Sequence, residues 1–412
     1  MTTLRNAMVW SRNGTAEAAL SVAGDDRTAD LDCRGHWVFP GFTDLHVHFR
    51  EPGFSYKETI AAGSLAAARG GFTAVCAMPN LEPPPDTPEH LAREWEIIRR
   101  DAAIPVFPVG AITLGQKGAG SLADLRAMAD RVCGFSDDGR GVQDGGLMQT
   151  AMELAKELDK PILSHCEDNS LLRGGYIHDG AYAQAHGHRG ICSASEWVPL
   201  ARDLELARQT GCRYHVCHVS AKESVSLIRQ AKADGVRVTA ETAPHYLLLC
   251  DEDLQEDGRF KMNPPLRAKA DRDALREALA DGTIDVIATD HAPHAAAEKS
   301  KGLAGSAFGI VGLETAFAVL YTGLVLPGLL SLDRLVEAMS IRPGELLRGW
   351  LGSSLAPAEE AFCVFDLDTP YSIDPARFAS LGRATPFAGW EVRGRCLHTI
   401  VNGTVLSHDS SD

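Results

Sequence analysis

VFPGFTDLHVHFREPG, residues 38–53, is the stretch on which the fold turns. It opens with an apolar run of strand character and closes with glycine and proline, the pattern of a strand ending in a loop. Side chains two apart share one face of a strand, so Asp44, His46, His48 and Arg50 are expected on one side at its C-terminal end. An open doubly wound sheet would carry a glycine-rich phosphate loop after its first strand, and this chain carries histidines there instead.

Seven further apolar runs follow: FTAVCAMPN (72–80), IPVFPVGAI (104–112), RVCGFSD (131–137), KPILSHCE (160–167), CRYHVCHVS (212–220), VRVTAETAP (236–244) and TIDVIATDHAP (283–293). Most are followed by a helical pattern such as YKETIAAGSLAAARGG (56–71) or GLMQTAMELAKELD (146–159). Eight strand–helix units predict an α/β fold, a closed (β/α)8 TIM-type barrel over residues 36–354, with the chemistry at the C-terminal ends of its strands.

The two ends read differently. Residues 1–35 and 355–412 hold short β-like pieces, AMVW, EAALSV, EAFCVFDLD and LHTIVNGTVL, so both termini are expected to build one small β domain. The linker LGSSLAPAEE (351–360) marks the expected exit from the barrel.

The chain has 412 residues and a formal net charge of -15, so nucleic acid and anionic lipid surfaces are repelled, and a small anionic substrate needs a local cation. Neither a signal peptide nor an apolar run near the ~20 residues of a membrane span is found. The ten cysteines are scattered without a CxxC pair, as buried thiols of a reducing, cytoplasmic setting would be.

Chemistry gathers at the strand ends. His46 and His48 are spaced to chelate one metal through neutral imidazole nitrogens, which suits zinc. His165, His218 and Asp290 end three later runs, and Asp138 follows the fourth as a carboxylate able to bridge two cations. Taken singly, each has a plain alternative: a hydrogen-bonded core histidine, a helix cap or a turn residue. Their recurrence at one end of successive strands favours a metal centre. Asp290 is the expected proton carrier, first base and then acid.

In these residues the chain resembles the dihydroorotases of the amidohydrolase superfamily, along nearly its whole length. The resemblance rests on PGFTDLHVHFREPG, AMPN, GFSDDG, SHCEDNS, HVCHVS, KMNPPLR, IATDHAPH and FGIVGLET. It implies His46 and His48 on a first metal, His165 and His218 on a second, and Asp290 as general base. It further implies Arg50, Asn80 and His294 near a substrate carboxylate, and Asn263 with Phe308–Gly309 around a ring. Many relatives bridge their metals with a carboxylated lysine; here Asp138 stands in that place, as in one branch of the family. The implied activity is reversible cyclisation of N-carbamoyl-L-aspartate to L-dihydroorotate in pyrimidine biosynthesis, with one or two Zn2+ per chain.

The same resemblance implies association with aspartate carbamoyltransferase for members of that branch, and it leaves room for a homodimer. An allantoinase or hydantoinase is the competing enzyme; Arg50 separates them, since those rings lack the carboxylate it would hold. A silent scaffold for the carbamoyltransferase would be expected to lose metal ligands, and all the motif ligands are present here. The stretch HAPHAAAEKSKGLAGSAFG (291–309), rich in small residues, reads equally as a mobile lid or a fixed surface loop.

Overall fold

The computed structural model describes residues 2–12, 14–22, 29–352, 355 and 360–408. The eight runs form parallel strands at Phe42–Val47, Phe72–Ala77, Val106–Ala111, Phe135–Ser136, Ile162–Ser164, Tyr214–Val216, Val238–Thr242 and Val286–Ile287. The third is interrupted at Val109, between Val106–Pro108 and Gly110–Ala111. Each strand pairs in parallel with the next. The ring closes where Val47 bridges His291 and the His48 N–H donates to the His291 carbonyl at 2.9 Å.

Helices cover the outside for reasons written locally. In Gly145–Glu157 the buried Met148, Ala151, Met152 and Ala155 recur at helical spacing, and Asp144 caps the start by accepting from the Leu147 N–H at 2.7 Å. Pro88–Asp101 begins with Thr87 as cap and proline in its first turn.

The second layer is a sheet with the order 14–22, 2–11, 37–40, 361–366, 395–401, 404–407, onto which Ala29–Asp32 also pairs through the 2–11 strand. Chain from both ends therefore meets in one sheet. Two details depart from the sequence reading. Trp37–Pro40, expected within the barrel unit, pairs with Met8–Val9 and with Phe362–Phe365 in this sheet. The run from Val38 to His48 is thus two strands divided at Gly41, where an added Cβ would lie 2.3 Å from Thr73 Cγ2. Most of the expected linker 351–360 lies outside the described residues.

An aromatic cluster joins the layers. Phe39 and Phe365 of the sheet meet Phe42 of the first barrel strand and Phe317, with ring centroids 4.4 Å apart for Phe317–Phe365 and 5.4 Å for Phe42–Phe317. Contacts of this size and geometry add to simple area burial. They leave the barrel mouth, at the opposite ends of the strands, free for other work.

Candidate active site

Strand ends place six groups together: His46, His48, Asp138, His165, His218 and Asp290, none more than 4% exposed. His46 lies on the first strand, with Nδ1 2.7 Å from Glu241 Oε1. A carboxylate accepts, so Nδ1 carries the proton and the Nε2 lone pair faces Asp138 Oδ1 at 3.4 Å and Asp290 Oδ1 at 3.6 Å. His48 Nδ1 is 2.8 Å from Asn80 Oδ1, which turns its Nε2 toward Asp290 at 3.1 Å and Asp138 at 3.4 Å. His165 Nδ1 and His218 Nε2 face one another at 2.9 Å. Asp138 Oδ1 stands 3.5 Å from the first nitrogen and 3.3 Å from the second.

Asp138 is therefore the hub, with one histidine pair on either side. Lone pairs directed at carboxylate oxygens repel unless positive charge lies between them. Nε2 of His46, the nitrogen turned to both carboxylates, is buried with no hydrogen-bond partner, and it gathers with Asp138 and His218, and with His48 and Asp290, at metal-ligating spacing. Buried polar atoms are normally satisfied, so this orphan, within a mixed nitrogen and oxygen donor set, fits a divalent cation. His218 (φ 36°) and Asp290 (φ 47°) hold left-handed backbone, a strain that collects at functional sites.

The surrounding residues set the electrostatics. Burial pushes the Asp290 carboxyl up, but the neighbouring imidazoles, His46 first and then His48, outweigh it, and the group sits below its ordinary value. Burial lowers Arg50 to about 10. It also lowers His294 to about 3, with Arg50 and Lys57 adding repulsion, so this ring is neutral.

One cavity of about 180 Å³ is lined by His48, Asp138, His165, His218 and Asp290 together with Arg50, Asn80, Asn263, His294, Phe308 and Gly309. His46 lies behind this wall, fully buried. Arg50 is on the loop rather than the strand, which ends at Val47; its φ of 59° swings it off the alternation assumed from sequence. Its Nε donates to the Pro293 carbonyl at 3.3 Å and its Nη2 is 3.5 Å from His294 Nε2. Asn80, expected beside Arg50, has its amide oxygen engaged by His48. Asn263 donates to Glu167 Oε2 at 2.7 Å, while its own Oδ1 is buried and unpaired.

The stretch 291–309 carries two short helices, Ala296–Lys299 and Gly302–Gly305, and is tied down by Lys299. The Lys299 ammonium donates to the carbonyls of Lys261, Ala307 and Gly309 at 3.2, 2.7 and 2.7 Å. Gly309 is required: with φ +147°, an added Cβ would lie 2.3 Å from the Ala292 carbonyl oxygen.

Sequence reasoning missed Glu241, which holds His46 and, through Oε2 at 3.1 Å, His215. A signal was present: a carboxylate near the end of VTAET, at the same end of the barrel as the other groups. Carboxylates behind ligating histidines orient them and raise their basicity.

An eight-stranded barrel with four imidazoles and two carboxylates gathered at its mouth defines a barrel hydrolase of the amidohydrolase class, whose members are metal-dependent. Residues 35–224 match the family model described as Dihydro-orotase-like. The chain is 52% identical over 378 residues to a dihydroorotase of Bacillus caldolyticus, covering 91% of this chain and 88% of that one. It is 50% identical over 387 residues to a dihydroorotase of Shouchella clausii, covering 93% and 90%. The chain belongs to the dihydroorotase family.

Solved structures agree on the fold. An L-hydantoinase (dihydropyrimidinase) from Arthrobacter aurescens superposes with a TM-score of 0.84 at 26% identity, covering 98% of this chain and 96% of that chain. A D-hydantoinase (dihydropyrimidinase) from Thermus sp. gives 0.82 at 25% identity, covering 100% and 96%. Among the described residues no helix is long and apolar enough to cross a membrane.

Proposed function

We propose that this chain is a zinc-dependent dihydroorotase that interconverts N-carbamoyl-L-aspartate and L-dihydroorotate. The observation that carries the reading is Arg50. On a chain of net charge -15, a buried guanidinium lines the same cavity as Asp290 and the histidines, ready to grip a substrate carboxylate.

His46, His48, His165 and His218 with Asp138, and Asp290 at their edge, would hold the zinc. When bound there, it supplies Lewis acidity toward the ring amide carbonyl and makes water a stronger acid at neutral pH. The chain's own residues do the rest. Arg50 and neutral His294 fix the carboxylate end of the substrate. The unpaired Asn263 Oδ1 is an acceptor for a ring N–H, and the Phe308–Gly309 backbone closes the other edge. Asp290, ionised, takes a proton from the attacking water and returns it to the ring nitrogen as the amide bond opens. Cyclisation runs the same transfers in reverse. A reducing cytoplasmic setting belongs to this reading, supported by the ten cysteines, all of them free thiols.

The test is turnover of purified, zinc-loaded protein on L-dihydroorotate beside hydantoin and allantoin, with metal content measured on the same sample. Preference for L-dihydroorotate is the expected result, and preference for a ring without a carboxylate would overturn the substrate assignment. Zinc without turnover until aspartate carbamoyltransferase is added would show that the chain depends on that partner. Asp290→Asn should abolish turnover in both directions while zinc stays bound.

A further inference from the structure

Behind Asp290 lies a buried polar cluster that the reaction does not use. Glu58, His291 and Ser380 are 0%, 1% and 0% exposed. They come from the loop after the first barrel strand, from the residue next to Asp290, and from the segment beyond the barrel. The Gly312 N–H donates to His291 Nδ1 at 3.3 Å, so the ring proton is on Nε2. That nitrogen faces Glu58 Oε2 at 3.5 Å and Ser380 Oγ at 3.4 Å. The Ser380 hydroxyl donates to Glu58 Oε2 at 2.5 Å, and the Leu381 and Thr59 N–H groups donate to Glu58 Oε1 at 3.2 Å each. The carboxylate is thus surrounded by donors and shut off from solvent, an arrangement suited to fixing geometry rather than to exchanging protons with a substrate.

Asp290 is held on its other flank too. The Thr289 N–H and hydroxyl donate to Asp44 Oδ2 at 3.1 and 2.6 Å, and the His291 N–H donates to Thr289 Oγ1 at 3.1 Å. Between these anchored neighbours Asp290 keeps its left-handed φ of 47°, a conformation that a non-glycine residue holds only when its surroundings impose it. The His291 backbone also accepts from the His48 N–H at 2.9 Å, so a shift of His291 would move both Asp290 and His48.

We propose that Glu58, Ser380 and His291 are positioning residues for the Asp290 carboxylate, a clamp through which the segment beyond the barrel sets the aim of the proton carrier. The inference rests on the role given to Asp290 above. Ser380 is the informative member, because it touches neither the cavity nor any of the six clustered groups. Displacement of a reacting group by a fraction of an ångström is paid in rate rather than in binding of the ground state.

Ser380→Ala is compared with Thr399→Ala, which removes another fully buried hydroxyl, one that donates to the Ala68 carbonyl at 2.6 Å in the junction with the terminal sheet. For zinc-loaded Ser380→Ala, kcat on L-dihydroorotate should fall by about ten- to a hundredfold, with KM within about twofold and zinc content unchanged. Thr399→Ala should lose a similar amount of thermal stability and keep its kcat. Wild-type kcat in Ser380→Ala, or an equal loss of kcat in both variants, would overturn the clamp. If the wild-type protein opens hydantoin rather than dihydroorotate, the substrate reading fails on its own, and the two variants are compared on that ring with the same criteria.

Discussion

Glu241→Gln is the perturbation that most directly probes how the barrel prepares its histidines. The carboxylate is fully buried, with Oε1 2.7 Å from His46 Nδ1 and 3.3 Å from the His218 N–H, and Oε2 3.1 Å from His215 Nε2. Burial alone would raise its pKa, but the neighbouring His46 and the hydrogen bonds from His215 and His46 outweigh it and hold the carboxyl well below the ordinary range. Glutamine keeps the volume and one acceptor oxygen, so either His46 or His215 must face an amide N–H. It also removes the charge that would make His46 Nε2 a strong donor toward the proposed metal. Loss of such a partner costs about ten- to a hundredfold in metal affinity, or ~1.4–2.8 kcal/mol.

The assay is zinc affinity by competition with a chromophoric chelator, alongside circular dichroism to show that the fold persists. A zinc Kd within twofold of wild type would refute the reasoning, since His46 would then not depend on Glu241 for its orientation or basicity. Glu241→Ala should do more harm, because it leaves two buried imidazoles without an acceptor; about 3–5 kcal/mol of stability should go with it.

Arg50→Met should lower kcat/KM for L-dihydroorotate by about 10- to 150-fold, the equivalent of ~1.5–3 kcal/mol for a charged hydrogen bond, while leaving any turnover of hydantoin nearly unchanged; equal losses on both rings would refute it. Burial pushes Glu314 up to about 7, against the pull of the Ala379 and Ser380 amides. From its ordinary 4.5 up to that value the folded chain keeps a proton that the unfolded chain has released, so stability should fall as pH rises, by ~3 kcal/mol in all. Glu314→Gln should flatten the decline of Tm over this window, and an unchanged slope would show that Glu314 is not its source. Glu196→Ala strands Arg267, 3% exposed, without its 3.3 Å ion-pair partner; urea denaturation should register a loss of ~3–5 kcal/mol.

Much of this site was legible because strand periodicity converts spacing into direction. His46, His48, His165, His218 and Asp290 each fall where an apolar run stops, and the structure brings them within a few ångströms of one another. The same rule puts Arg50 on the strand face, yet the strand stops at Val47 and a left-handed turn redirects the side chain. Alternation carries no information once the ladder ends. The run from Val38 to His48 reads as one strand because hydropathy does not mark the change of partner at Gly41; only the close approach of Thr73 does. Glu58 and Ser380, 322 residues apart, illustrate a harder limit. Nothing local to either residue announces a contact that exists only after the barrel has closed and the later segment has crossed it.

That closure has a consequence for how the protein is made. The seam between the first and last barrel strands is held by Asp44 and Thr289, 245 positions apart, and His48 meets Asp290 across the same seam. A nascent chain therefore exposes His46, His48, Asp138, His165 and His218 long before Asp290 leaves the ribosome, at a few to some twenty residues per second. Until then its histidines are a loose set without the frame that orients them. Tight zinc uptake should accordingly trail synthesis and report ring closure itself, which makes acquisition of metal a natural clock for the last step of folding.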